Sequence, residues 1–574
     1  MPTPTLALPF IVQLTNSSVR QFVDRLSRPA QNNGHKSSAL DVVDDGADLA
    51  AALADFEQVP PAAAWDRLRG IVDPILVACD DVSRCPTTGI RLMDLWRYFR
   101  HTWSLEYRSI PGRQVPILIR NQARPGSPVM GIALLASPVL RTRPRDEWIG
   151  WTPDAFVREV RNGNLPGKKA LRALIQRVEK HIENIRYDDL ASPEEIAGPT
   201  EHIVFRLEQR AEGAALARGR QLQEDYAEAF EERGGGRSQS DPAKRGAAHV
   251  DWHEASNDLL FVQKRALTLA RLLDAKRAFQ AIDWSMTGTG ILDKLIASSL
   301  GTRAIGTALQ EVRNAGLASR IADLSVCGAV PPYNLLLGGK LVALAMASRE
   351  VQAIWRERYS DQISIISSQM AGRPVRRSAE LCILTTTSLY GSGSSQYNRL
   401  RLRTKDHAGL ARDVVWKELD RTAGFGTVHL SQETVRLLRT LSEVEHGARR
   451  INNRFGEGTS PRLRQVREGL EVLGIESDEV LHHATPRLFY ACELGSDARA
   501  RLMGIRSSEP SPAPSLAAIA EGWRRRWLLP RATRAEILER LSHTSAETVR
   551  ASLATPEASE IAVSDEAQQL SLEV

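Results

Sequence analysis

The sequence predicts a mixed α+β protein whose sheet is discontinuous along the chain. Two observations carry that expectation. Apolar runs of strand length recur in two separated regions: VPILIR and PVMGIALLASP in one, and IADLSVCGAV, QISIISSQM and LCILTTTSLY in the other. Between the two regions, leucines fall at three- and four-residue spacing among Arg, Lys and Glu, the pattern of amphipathic helices. A chain of 574 residues also exceeds one ordinary core and implies roughly two to four packed units.

Taken in order, residues 1–90 read as an N-terminal helical region, because PPAAAWDRLRGIVDPILVA places its tryptophan and aliphatics at helical spacing. Residues 91–152 form the first half of an α/β core, with the turn-rich NQARPGS joining VPILIR and PVMGIALLASP into a hairpin. A helical insertion is expected over 153–320, broken near 232–248 by a Gly-, Ser- and charge-rich loop expected to be flexible. The second half of the core follows over 321–405: IADLSVCGAV as a buried strand, PPYNLLLGGKLVALA as loop and helix, then QISIISSQM and LCILTTTSLY as two more strands. Residues 406–505 read as a mainly helical, basic C-terminal domain, with a winged-helix-like arrangement among the expectations. There Ser431 and Ser460 are N-cap residues, Pro461 suits a first helical turn, and Gly474 tolerates the left-handed conformation that ends a helix. Residues 506–574 are a helix, GWRRRWLLPRATRAEILERL, and an acidic Ser- and Ala-rich tail expected to be disordered.

Composition bounds the function. With 42% hydrophobic and 25% charged residues the chain is globular in type. No apolar run reaches the eighteen residues of a membrane span, and the start lacks a basic, apolar leader, so a cytoplasmic protein is expected. Five cysteines without CxxC pairs or histidine clusters predict no metal site. Phosphate-binding, zinc-protease, serine-hydrolase and zinc-deaminase signatures are absent from the sequence. A net charge of +6 and a pI near 9.1 favour polyanions weakly; where the arginines stand matters more.

Four constellations remain. In the first, a strand passes through Asn334 into Gly338, Gly339 and Lys340. A glycine-opened helix start beside a lysine suits phosphate, although the glycines also suit close helix packing. The second is TTTSLYGSGSSQYNRL, where Ser388, Tyr390, Ser394, Ser395, Gln396, Tyr397, Asn398 and Arg399 crowd one turn. Ser388 and Tyr390 are the candidates for proton transfer, against a polar loop that satisfies its own backbone. The third, RPRDEWIGWT, offers Asp146 and Glu147 beside Trp148 and Trp151: a general base among stacking rings, or core aromatics with acids neutralised by Arg143 and Arg145. The fourth sets Arg454, Arg462, Arg464 and Arg467 around a helix start. Positive charge there opposes the helix dipole unless an anion such as a nucleic-acid phosphate is present, or unless Glu457, Glu468 and Glu471 pair with it.

These residues also carry a resemblance. The strings RLMDLWRYFRHTWSLEYRSIPGR, RDEWIGWT, CGAVPPYNLLLGGKLVALA, TTTSLYGSGSSQYNRL and FGEGTSPRLRQVREGLEVLG resemble the Druantia anti-phage DruA family from about Arg91 to Arg501, the long helical stretch excepted. The resemblance implies bacterial immunity beside other defence proteins, including a large helicase-related partner, and supplies no catalytic residue. At the level of fold, the hairpin, the glycine-led helix and the strand ending in SLYGSGS are similar to acetyltransferase-like proteins of the phage DNA-modifying Mom type. That similarity implies an acetyltransferase-like mixed sheet and gives Tyr390 a counterpart there. Three functions stay open: a DNA-handling defence subunit, an acyltransferase-like enzyme whose cofactor the sequence leaves unknown, and a non-catalytic scaffold for defence partners.

Overall fold

The computed structural model describes residues 14, 16–32, 34–54, 56, 61–103, 112–231, 250–317, 319–388, 396–407, 409–422, 427, 430–446, 461–482, 486–505 and 512–553. Eight strands build the main sheet: β1 (Pro74–Ala78), β2 (Gln114–Asn121), β3 (Val129–Ala136), β4 (Ile321–Ala329), β5 (Ile383–Thr387), β6 (Arg401–Leu402), β7 (Val414–Arg421) and β8 (Leu488–Glu493). Their order is β1-β2-β3-β4-β5-β8-β7-β6, and only β4 and β5 run parallel within it. The protein is thus mixed α+β, with its sheet assembled from both sides of the helical stretch.

The centre of the sheet is buried on both faces, as all eight residues of β3 show. One face packs beneath the helices Gly338–Ala345, Arg349–Tyr359 and Leu516–Trp523, where Leu341, Leu344, Trp355, Ile519 and Trp523 meet Ile117, Ala133, Leu324 and Leu384. The other face is divided. Its β2–β3 half is covered by the helix Leu92–His101, whose Trp96 donates its indole N–H to the Ala133 carbonyl at 2.9 Å. Its β4–β5–β8 half carries the helical stretch, in which Gly167–Glu183, Glu201–Glu231, Leu259–Gln280 and Ser299–Leu317 share a second core with Ile321, Ile383 and Ala491.

Two segments differ from expectation. QISIISSQM is a helix over Ile365–Ala371 and not a strand. Parallel strands need a crossover on the face of the sheet, and β4 and β5 are direct neighbours, so the chain between them must leave the sheet whatever its β-branched content. In PPAAAWDRLRGIVDPILVA the helix stops at Ile71 and PILVA becomes the edge strand β1. Pro74 disfavours helix at Asp73, and proline is tolerated at the first residue of an edge strand.

The sheet draws strands from four stretches of the expected division, since VVWKELDR and LFYACE of 406–505 enter it as β7 and β8. Between these strands, Ser431 Oγ accepts the Thr434 N–H at 3.0 Å to cap the helix Gln432–His446, and Gly474 (φ 68°) follows the helix Pro461–Val472. Ser460 and the loop near 232–248 lie outside the described residues. No helix among the described residues is long and apolar enough to cross a membrane.

Candidate site in the gap between the parallel strands

β4 and β5 pair over only three positions, Ile321↔Ile383 to Asp323↔Thr385. Beyond them β4 continues to Ala329, still paired with β3, so a gap opens between the two strands toward their C-terminal ends. Two of the expected constellations meet there.

Gln396 enters the gap and donates its amide N–H to the Cys327 carbonyl of β4 at 2.9 Å, while Thr386 of β5 donates to the Leu324 carbonyl at 2.8 Å. Tyr397 follows Gln396 into the interior. Its ring packs 5.2 Å from Trp416 and 5.5 Å from Tyr490, and its hydroxyl meets the side chains of Thr386, Cys327 and Gln396. Burial pushes the Tyr397 hydroxyl well above the usual phenol range and the Cys327 thiol up to about 12. Neither group is a ready base or nucleophile near neutral pH.

The glycine-led helix borders this gap. A Cβ on Gly339 would stand 2.5 Å from Gln396 Oε1, so a larger residue there would push the Gln396 amide aside from the helix start. Lys340 closes the contact, its ammonium donating to the Gln396 carbonyl at 2.9 Å. Burial, with the charge of Arg526 behind it, draws the Lys340 pKa down. Arg526, likewise lowered by burial, also feels Arg401 and Arg403, with Asp406 as the opposing charge. Positive charge therefore collects beside the gap.

The remaining expected residues divide as follows. Ser388 is buried at the end of β5, its N–H donating to the Leu488 carbonyl at 2.8 Å. Asn334, Asn398 and Arg399 are exposed, and Gly338 donates its N–H to the Tyr333 carbonyl at 2.9 Å. Tyr390, Ser394, Ser395 and Arg454 lie outside the described residues. Asp146 is not in this gap. It is buried near the other end of the sheet, where Arg145 donates to its Oδ1 through Nε at 2.9 Å and Nη2 at 2.8 Å. Trp151 is core, and Trp148 carries Arg499 over its ring at 5.2 Å. Arg462, Arg464 and Arg467 share the helix Pro461–Val472, which has no acid in its first turn, and Arg467 reaches Ser477 Oγ at 3.4 Å and Asp478 at 3.5 Å. Among the described residues no cluster of three metal-ligating side chains occurs.

Sequence reading missed Cys327, Thr386 and Arg526 as neighbours of the gap. They come from three separate elements, β4, β5 and the helical segment after Trp523, and only the tertiary fold brings them together.

Comparison with known proteins fits this geometry. Residues 89–162 and 305–504 match the family described as Druantia protein DruA, and these segments contain seven of the eight strands and the whole gap between β4 and β5. Over these segments, somewhat under half of its length, the chain is similar to the DruA family. Druantia protein DruA of Escherichia coli (strain UMEA 4076-1) is 33% identical over 217 residues, which are 37% of this chain and 49% of that protein. The chain thus spans about half the length of the curated relative it matches. The DruA match omits 163–304, so the helical stretch is additional to the matched core. No solved structure matches the chain.

Proposed function

We propose that this protein serves in defence against phage, in the cytoplasm and beside other defence proteins that include a helicase-like component, and that it handles nucleic acid in doing so. The supporting observation is the DruA-family match over the strands that form the gap, together with positive charge that runs from Lys340 and Arg526 beside it to Arg401 and Arg403 at the β6 edge. Backbone phosphates are the natural counter-charge for such a rim, and the arginines of the helix Pro461–Val472 offer a second contact.

The test is binding of the purified chain to labelled single- and double-stranded DNA across a salt series. Two variants accompany it, Lys340→Ala with Arg401→Ala and Arg403→Ala, and Arg462→Ala with Arg464→Ala and Arg467→Ala. Affinity is expected to fall steeply with salt, and each triple variant to lower the logarithmic slope by up to about three contacts. Absence of binding at low salt would sink the reading.

One observation favours a second reading, an acyltransferase-like enzyme acting on DNA or another target. The single parallel pair parts toward its C-terminal ends beside a glycine-led helix start, and open α/β sheets place ligands at such ends. There Gly338 to Lys340 would hold a cofactor phosphate and Tyr390 would move the proton. Cofactor-dependent protection of the chain from heat, lost in Gly339→Val, distinguishes this reading from the first.

A further inference from the structure

The opposite end of the sheet holds a second collection of positive charge, built on elements that no local motif links. Glu311, on the helix Ser299–Leu317, is buried, and its carboxylate lies 2.6 Å from His181 Nδ1 on the helix Gly167–Glu183. Arg177 is one turn before His181 on the same helix face. It is largely buried, and its Nε has no partner among the described residues. Arg313, two residues after Glu311, also has a buried Nε without a partner among the described residues, and its nearest carboxylate oxygen is Oδ2 of Asp146, 3.9 Å away, while Arg145 engages Oδ1 of the same carboxylate. Arg377 arrives from the segment before β5. It is positioned by donating to Ser367 Oγ at 2.6 Å and 3.2 Å and to the carbonyl of Asn314, the neighbour of Arg313, at 3.4 Å. Arg113, donating to Gln362 at 3.2 Å and lying over the Tyr359 ring at 5.3 Å, stands at the start of β2.

Arg177 and Arg377 have Glu311 as their opposing carboxylate, Arg313 has Asp146 first and Glu311 after it, and His181 and Arg271 also draw upon Glu311 while Arg145 occupies Asp146. Burial is the largest influence on all three arginines and lowers their pKa, outweighing the carboxylates that raise it. A guanidinium does not shed its proton to escape such a position. About two positive charges therefore stand uncompensated in a partly buried place, where leaving them without a counter-ion is costly. A single carboxylate would balance one of them. A phosphate monoester or pyrophosphate supplies two charges and three or more acceptor oxygens in the geometry that guanidinium forks match.

We propose that Arg177, Arg313 and Arg377, set about Glu311 and Asp146 at the Ile321 end of the sheet, form a binding site for a phosphoryl group. It is separate from the gap between β4 and β5, since the nine residues of β4 lie between the two ends, roughly 25–30 Å of extended chain. The phosphoryl group belongs either to a small nucleotide or to a nucleic-acid end, and the same chemistry serves both.

Calorimetry of the full chain at constant ionic strength tests this with inorganic pyrophosphate, AMP, and 5′-phosphorylated and 5′-hydroxyl oligonucleotides. Pyrophosphate is expected to bind, and Arg177→Gln with Arg377→Gln to weaken it about tenfold to a hundredfold. Arg436→Ala, at an exposed arginine paired with Glu433 on the helix Gln432–His446, is expected to leave that binding unchanged. A preference for AMP assigns a small nucleotide, and a preference for the 5′-phosphorylated over the 5′-hydroxyl strand assigns a nucleic-acid end. In the unaltered chain, pyrophosphate is expected to slow butanedione modification of Arg177 and Arg377, read by peptide mass spectrometry, so the proposal does not depend on a variant folding. No binding, binding kept at full strength in the double variant, or modification unaffected by pyrophosphate overturns it.

Discussion

Replacing Asp146 separates a structural carboxylate from a reacting one. Its partner Arg145 has no exposed surface and spends its guanidinium on three acceptors: Asp146 Oδ1, the Val139 carbonyl at 2.7 Å and the Leu140 carbonyl at 3.3 Å. Asp146→Ala removes the one acceptor that carries charge and leaves a buried cation, which costs about 3–5 kcal/mol. Asp146→Asn keeps an acceptor oxygen while losing the charge, so about 1–3 kcal/mol is expected. Arg145→Met combined with Asp146→Leu removes both charges and fills the space, and should return stability to within about 1–2 kcal/mol of the parent. The assay is urea denaturation of the full chain followed by tryptophan fluorescence, with phage plating on cells carrying each variant beside the rest of the defence locus. Stability and protection should fall together in Asp146→Ala and recover together in the double variant. An Asp146→Ala protein as stable as the parent but unable to protect would refute this reasoning and return Asp146 to the reacting groups.

Other expectations follow from the same geometry. His101 is held to a pKa of about 4 by burial, with Arg97 and Arg100 adding to the effect. The unfolded chain takes up this proton near pH 6.5, so stability is complete above that pH and falls as pH drops toward 4, by about 2 kcal/mol once partial exposure is allowed for. His101→Phe should flatten that part of a stability–pH curve. Gly339→Ala sets a methyl against Gln396 and should break the bond from Gln396 to Cys327, worth about 1 kcal/mol, with helix propensity offsetting about as much. Global stability should then hold while amide exchange over 396–400 quickens, and unchanged exchange would count against Gln396 as the filler of the gap. Trp523→Ala should cost about 3–5 kcal/mol in the same denaturation assay, because the indole is fully buried and donates to the Leu337 carbonyl at 3.2 Å. A chain ending at Ile505 should fail to express in folded form, since it lacks Leu516, Ile519, Trp523 and Leu528 of the first core.

What the sequence makes legible follows the range of the interaction responsible. VPILIR, PVMGIALLASP, IADLSVCGAV and LCILTTTSLY are strands because their own apolar content and flanking turns say so. The cap at Ser431 and the stop at Gly474 are likewise local events. QISIISSQM misleads because nothing in its nine residues records that β4 and β5 are parallel neighbours and that the chain between them must cross the face of the sheet. VVWKELDR and LFYACE pass unnoticed as strands for a related reason: the second half of β7, KELDR, is charged and largely exposed, and its place in the sheet depends on β8, about seventy residues later.

The two charged sites show the same limit more sharply. Gly338 to Lys340 and the polar turn were each conspicuous as motifs, yet their meeting at Gln396 is a property of the gap and is written in neither motif. There the glycine and the lysine hold a segment of the protein itself, so any ligand entering between β4 and β5 must first displace Gln396 from the Cys327 carbonyl. At the other end Arg177, Arg313 and Arg377 stand apart in sequence and stir no suspicion singly, since an isolated arginine on a helix is ordinarily solvated. Their significance comes from the tertiary fold, which partly withdraws three guanidiniums from water beside Glu311 and an Asp146 that Arg145 already occupies. That is a cost that packing alone does not explain and that a bound phosphoryl group would offset.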